Sequence, residues 1–532
     1  MSPARRWLLA GALALAGCSR GAQADYESLL AGKGHAYVGG PIQSAHVLAT
    51  LEKRDFTYAI EIDRSGTHAA YTHLASHVYR LGLFDGGDLA KWPDPPPRVA
   101  DAEICPNEFD VEGLAFSPDG TRVATAGRDM AVRLYDQTGK LLRTAFLEEP
   151  LASLAWSPDG RFLVAGSERG LVSVLGADDL EFGFDVRAHK DSVRALAFAD
   201  DGTLFSAGWD KAVHAFHIAP QPRALTETHL HANHKAGVTG IYATVDGKAP
   251  ALLTVDERNE LVTLTPEAAT RAGIDPGFLK DKIEELTPAG KAELPLARDR
   301  TLSFKNMQVP HVDIAICQAC SPPGVDGVLG KQFSQRFEVV LDEAHQDVLL
   351  RAKDPAAAPT VVLPVLAPAQ SFSLQGFVND LTVSRDGTKL GIAMNEAKAE
   401  RSLALYKREK AGDEEPVLPG NVAAIVDAKR GAVLEQHNLH HGVVASAAIS
   451  PDGKSLASGG WDKKVLVFSQ GGLEPVAKAE YGWAVRKVRF SPDGRFLAVG
   501  AWTPQNANDK DSDPAAQIFA LDYLEPKVIA LP

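Results

Sequence analysis

Several groups of residues in this 532-residue chain have the type and spacing to do chemistry. Cys317 and Cys320 form a C-x-x-C. A thiol pair at that spacing closes a local disulfide, cycles as a redox pair, or supplies half of a zinc site. No second pair follows at ligand spacing, so zinc is disfavoured, and outside the cytoplasm the disulfide is favoured over the reduced or redox-active pair. Cys105 is left over and reads as a buried thiol, with an intermolecular link as the alternative. His229, His231 and His234 form H-x-H-x-x-H, and His437, His440 and His441 form a second group. Converging imidazoles would bind Zn²⁺ or Ni²⁺, but loop histidines are the simpler reading, so no metal is assigned. Asp509, Asp511 and Asp513 alternate as a calcium loop begins. Pro514 and the missing downstream Glu turn that reading into a solvated acidic loop. The chain has no P-loop, no serine nucleophile elbow and no H-E-x-x-H helix.

The elements that position these residues follow a repeat. Ser117-Pro118-Asp119-Gly120 recurs at Ser157, Ser450 and Ser491, with looser copies at Asp63, Ala199 and Ser384. The spacing is 40 residues from 117 to 157, 42 from 157 to 199 and 41 from 450 to 491. An alternating strand precedes each turn, and a second strand follows it. A polar turn then carries an Asp, as at Asp129, Asp210 and Asp462. A third strand ends in an aromatic residue, and a weaker fourth closes the unit. Four short strands per period of this length predict a β-propeller blade. Between 384 and 450 the period stretches to 66, which places a long hairpin near Lys398 to Gly420. A similar excursion covers Thr503 to Pro514. His46 to Leu51 and Val528 to Leu531 both read as outer strands able to complete the closing blade.

Composition sets the limits. Hydrophobic residues are 45% and charged residues 23%, a globular balance that excludes a mostly disordered chain. The net charge of −13 disfavours a large nucleic-acid surface.

The repeat resembles the WD40 family over roughly residues 40–233 and 372–532. The turn Asp and the aromatic six residues later match the family pattern, and His189 pairs by position with Ser206 and Asp210. The resemblance implies that these residues, with Asp129 and Asp462, form structural hydrogen-bonded networks. Phe or Tyr stands where the family has Trp, so each network lacks its last member.

Between blades four and five the repeat lapses, and the stretch is too long for a loop. Gly324 to Gly330, with its Asp326-Gly327-Val328-Leu329-Gly330 core, resembles the retropepsin-like aspartyl peptidases. So do Tyr242 to Lys248, Leu252 to Asp256 and Leu264 to Ala269, in the family's order. The resemblance implies that Asp256 is the catalytic carboxylate. Yet the family's Asp-Thr/Ser-Gly reads Asp256-Glu257-Arg258 here. The bracing hydroxyl is lost at Glu257 and the tight-loop glycine at Arg258. A cation beside Asp256 depresses its pKa and opposes a shared-proton pair. The resemblance further implies that catalysis needs a second half-site from a homodimer.

At the N-terminus, Arg5 and Arg6 precede an apolar run from Trp7 to Ala16, too short to span a bilayer. It ends in Leu15-Ala16-Gly17-Cys18, which resembles the bacterial lipobox and implies lipid attachment at Cys18. Ser19 next to it implies outer-membrane sorting.

The resulting reading is all-β. A signal peptide spans 1–17 and a linker after the lipidated cysteine spans 18–40. Blades one to four of a seven-bladed propeller cover 41–236, and a retropepsin-like insert between blades four and five covers 237–353. A linker at 354–371 leads to blades five to seven at 372–532. The function read from this is an envelope-anchored scaffold binding a protein or peptide. It touches the membrane through the lipid anchor only and uses no nucleic acid and no cofactor. The alternative is an active envelope aspartic peptidase using Asp256 in a homodimer, with the propeller selecting substrates. A third reading places an enzyme or metal site in the central channel.

Overall fold

The Ser-Pro-Asp-Gly units fold as one repeated turn. In the computed structural model of the chain, Ser157 Oγ donates to Asp159 at 2.7 Å and accepts from the N–H of Phe162 at 2.9 Å. Ser384 and Ser450 repeat both bonds. Gly120, Gly160, Gly453 and Gly494 close their turns at φ of 71°, 77°, 69° and 76°, where a side chain is disfavoured. The carboxylates of the motif therefore hold turns.

The structure describes residues 37–524 and 527–529, except 52–56, 67, 74–76, 83–89, 92–110, 179, 181–182, 184, 225, 236, 249, 288–289, 306, 343–346, 355–359, 399–419 and 502–515. The signal peptide, Cys18, Cys105, the acidic triplet Asp509, Asp511 and Asp513, and nearly all of the two long excursions lie outside the described residues. The strands flanking 399–419, Lys389–Asn395 and Val422–Asp427, are the second and third of one sheet.

Seven four-stranded antiparallel sheets are present among the described residues. Their first strands are Ile60–Ile62, Val111–Phe116, Leu151–Trp156, Val193–Phe198, Phe377–Val383, Val444–Ile449 and Val485–Phe490. Each of these packs beside the next, and the last returns to the first. This is a β-propeller whose first strands line a central channel. Neighbouring sheets cover both faces of the inner strands, so Leu151–Trp156, Ser455–Gly460 and Phe496–Ala501 are buried throughout. That is why these segments read as continuous apolar or small-residue runs rather than as clean alternation.

The ring is closed by its beginning. Ile42–Leu51 pairs with Ala516–Tyr523 as the outer strand of the seventh sheet. The other candidate, near Val528, pairs instead with Tyr37–Gly39 in a separate two-stranded ribbon.

The structure corrects the place of the insert. Thr360–Ser373 pairs along its whole length with Ala212–Ala224 and is the outer strand of the fourth sheet. The insert therefore leaves from within that sheet, between its third and fourth strands, and 354–371 is largely strand rather than linker. On an edge strand Pro364 and Pro368 are tolerated, because no further strand needs their N–H groups.

The insert has its own core, including Ile241, Leu253, Val262, Phe304, Ile314 and Leu350. Its eight-stranded sheet contains the parallel pair Pro250–Val255 with Gly327–Leu329. Gly327–Leu329 also pairs antiparallel with Val262–Leu264, so it runs between the two strands that flank the Asp256 loop. The threading demands glycine. A side-chain carbon at Gly327 would meet Thr263 O at 2.2 Å, and one at Gly330 would meet Leu261 O at 2.1 Å. The helix Pro266–Arg271 follows, capped by Thr265 Oγ1 accepting from the N–H of Ala268 at 3.2 Å. Among the described residues no helix is long and apolar enough to cross a membrane.

The insert lies against the second and third sheets. Met130, in a turn of the second sheet, is buried with Tyr242, Leu252 and Val325 of the insert. Lys305 places its ammonium 3.2 Å from Glu148 and 3.1 Å from Asp185.

Candidate functional site

Asp256 sits at the exposed end of Pro250–Val255, its N–H donating to Leu329 O at 3.1 Å. Arg258 covers it. The Arg258 Nε donates to both carboxylate oxygens, at 2.9 and 3.0 Å, and Nη2 donates to Oδ2 at 2.5 Å. The Arg258 N–H adds a fourth bond at 3.0 Å. These bonds from Arg258 hold the Asp256 carboxyl below its ordinary value. Glu257 is exposed. A carboxylate with both oxygens engaged and a lowered pKa is a poor base for a water nucleophile. Arg258 is itself 88% exposed, so the pair adds little stability; what it does is occupy the oxygens.

Asp326, in the neighbouring motif, is also committed. It accepts from the N–H of Leu252 at 2.9 Å and is bonded by Arg271. Cys317 and Cys320 are buried and joined in a disulfide with their Cα atoms 5.4 Å apart. The Cys317 N–H donates to Leu264 O at 2.8 Å, which ties the disulfide to the strand leaving the Asp256 loop.

The structure brings His189, Ser206 and Asp210 together. The His189 Nδ1 lies 2.9 Å from Asp210 Oδ1, and Nε2 lies 2.8 Å from Ser206 Oγ. Asp210 also accepts from the N–H groups of Lys190 and Ala212. Burial would raise its pKa, but the bonds from His189 and the backbone outweigh that and hold it low. A second copy joins His440 to Asp462 at 2.8 Å and to Ser458 at 2.8 Å. Ser458 was not singled out from the sequence, although its offset from Asp462 equals that of Ser206 from Asp210 and would have found it. Asp129 departs from the pattern. It is buried against Arg133, whose Nη2 donates to it at 2.5 Å.

Each network ties one sheet's entry loop to its own central turn, which is structural work. His440→Ala strips Asp462 and Ser458 of a buried partner and should cost about 1–3 kcal/mol. A urea midpoint reads this, and an unchanged midpoint would show that the network holds nothing.

Among the described residues, His437 and His440 do not converge on a common point. His437 Nε2 bonds Glu435 at 2.8 Å and its ring stacks on Phe468, while His440 faces Asp462. The side chains of His229, His231 and His234 lie outside the described residues. His189, Asp210 and His214 bring their ligating atoms within 4.8 Å of one another. Both ring nitrogens of His189 are engaged by Asp210 and Ser206, however, and His214 Nδ1 lies 2.7 Å from Ser371 Oγ.

The sequence reading missed the charges of the central channel, a cavity of about 310 Å³. Asp380, on the fifth sheet's first strand, is fully buried. It accepts from Lys487 at 2.9 Å and from both terminal nitrogens of Arg489 at 2.7 and 2.9 Å. Ser446 of the sixth sheet bonds Asp380, and Arg489 Nε reaches Glu61 of the first sheet at 3.0 Å. Four sheets thus meet in one ionic network. The only sequence signal was Lys487 and Arg489 alternating on an inner strand.

The profile of the WD domain, G-beta repeat matches residues 104–136, 139–174, 181–217 and 430–469. WD40 repeats are therefore present, on a β-propeller. Apart from the first, each match starts on the outer strand of one sheet and runs through three strands of the next. The chain is similar to Protein NEDD1 of Bos taurus, 25% identical over 43% of this chain and 33% of that protein. It is 34% identical to the Poly(A)+ RNA export protein of Schizosaccharomyces pombe over 24% of this chain and 36% of that one. It is 32% identical to the WD repeat-containing protein SL1-17 of Schistosoma mansoni, over 30% and 50%. The chain thus spans between 33% and 50% of the length of these relatives.

Proposed function

We propose that the chain is a protein-binding or assembly scaffold built on a seven-bladed WD40-like propeller. It is exported and anchored at the bacterial cell envelope, on the outer membrane, through Cys18. The insert is a retropepsin-like domain that has kept its fold and lost its chemistry. The observation that carries this reading is the Asp256–Arg258 pair, in which Arg258 engages both oxygens of the candidate catalytic carboxylate. The strand Gly327–Leu329, threaded between the arms of the Asp256 loop, supports the retropepsin-like assignment. The ring of sheets supports the scaffold, because loops on a rigid frame suit recognition. The arginine pair, the apolar run and Leu15 to Cys18 support the envelope address.

The test is proteolysis. The full chain and its Asp256→Ala variant are incubated with unfolded protein from pH 3 to 8, and products are identified by mass spectrometry. Identical product sets are expected. Cleavage present in the wild type and absent from the variant would make the protein an aspartic peptidase instead.

A further inference from the structure

Three of the seven repeat turns depart from Ser-Pro-Asp-Gly, and their departures meet in space. The second residue of every turn lines the central cavity of about 310 Å³, at the mouth where the turns lie. Four of these residues are proline. The other three are Arg64, Asp200 and Arg385, one acid between two bases. They follow the first strands of the first, fourth and fifth sheets. In a ring of seven, the first sheet stands three places from the fourth and three from the fifth. Arg64 therefore faces the other two across the channel.

It reaches across. Arg64 Nη2 donates to Asp200 Oδ2 at 3.4 Å, and Arg385 Nε donates to the same oxygen at 2.9 Å. The two arms differ in strength. Asp200 and Arg385 are also joined through the backbone, where the Asp200 N–H donates to Arg385 O at 3.3 Å. The Arg385 N–H in turn donates to Pro451 O at 3.0 Å. The Arg385 side chain is 9% exposed, against 26% for Arg64 and 27% for Asp200. The Arg64 arm is the longer and the wetter of the two. An ion pair of that exposure shifts an equilibrium by about fivefold at most, so this arm swings out while the other stays. Proline at the four remaining positions offers no side chain that could bridge the mouth.

We propose that Arg64, Asp200 and Arg385 form an ionic gate across this mouth of the channel, with Arg64 as the moving arm. Closed, the gate bars small solutes from entering between the turns; open, it admits them. It follows from the ring and these distances, whatever the scaffold binds. The test is thiol labelling of the full chain with Cys18 and Cys105 changed to serine, Cys317 and Cys320 remaining joined. Ala197→Cys puts a reporter on the cavity wall, and Ala457→Cys puts a control in the fully buried second strand of the sixth sheet. Each is labelled with N-ethylmaleimide, an uncharged reagent. Arg64→Gln and Asp200→Asn should each quicken labelling at position 197 about fivefold at low salt. Raising the salt to about 1 M, where the screening length falls to about 3 Å, should quicken the parent and leave both variants unchanged. Labelling at position 457 should stay slow throughout, and thermal midpoints check that the variants fold. Equal rates at 197 in parent and variants, a salt response that persists in Arg64→Gln, or matching rises at 197 and 457 would each overturn the gate.

Discussion

Asp380→Ala is expected to destabilise the propeller by about 3–5 kcal/mol, the usual consequence of removing one partner of a buried ion pair. Asp380 has no exposed side-chain surface and is bonded by Lys487, Arg489 and Ser446. Its loss would leave two cations from the seventh sheet buried beside each other, with Glu61 the nearest remaining anion of the network. The thermal midpoint should drop by several degrees. Asp380→Asn keeps the shape and one acceptor, so it should fall between alanine and wild type. The pH dependence follows from the direction of the shift. Burial alone would raise the Asp380 pKa, but Arg489 and Lys487 outweigh it and hold the carboxyl well below the usual range. A carboxylate depressed on folding stabilises above its unfolded pKa of about 3.9 and loses that contribution as pH falls through the folded value. The gap between wild type and Asp380→Ala should therefore be flat from pH 8 to 5 and narrow below about pH 4. A gap that does not change in acid would mean that Asp380 acts by packing and not by charge.

Lys305→Met should have the second largest effect, on the junction between insert and propeller. Burial disfavours the Lys305 ammonium, but Glu148 and Asp185 outweigh it and raise its pKa above the ordinary lysine value. Methionine fills the space and leaves two largely buried carboxylates without the cation they share. The local cost is again about 3–5 kcal/mol. The Met130 contact with Tyr242, Leu252 and Val325 and the hairpin Ala212–Ala224 with Thr360–Ser373 would remain. Hydrogen exchange should quicken about tenfold or more in Gly290–Phe304 and Met307–Ile316, while Pro250–Val255, inside the insert's own core, stays protected. Met130→Asp should reproduce the pattern from the other side of the junction. Unchanged exchange in both variants would show that the hairpin Ala212–Ala224 and Thr360–Ser373 positions the insert by itself.

The candidate site was legible where its residues lie close in sequence. Asp256, Glu257 and Arg258 are consecutive, so the neighbouring cation could be read directly, and the structure adds that it takes both oxygens. His189, Ser206 and Asp210 stand at offsets that the blade period fixes, and Cys317 and Cys320 are three residues apart. Asp380 and Arg489 were illegible because 109 residues separate them, and nothing local to either reports the other.

The sequence by itself determined the unit of this protein: a turn and four short strands in each period of about 41 residues, with an Asp-bearing turn in at least three of them. It also marked a long stretch between the fourth and fifth repeats where the turn motif lapses. Tertiary structure alone decided that the insert springs from inside the fourth sheet, that the strand Ile42–Leu51 closes the ring, that Lys305 locks insert to propeller, and that the channel holds a shared ionic network. The division has a physical cause. Turns and strand alternation are set by backbone and side-chain preferences within a few residues, whereas strand partners and buried ion pairs are chosen by which distant surfaces fit when the ring closes.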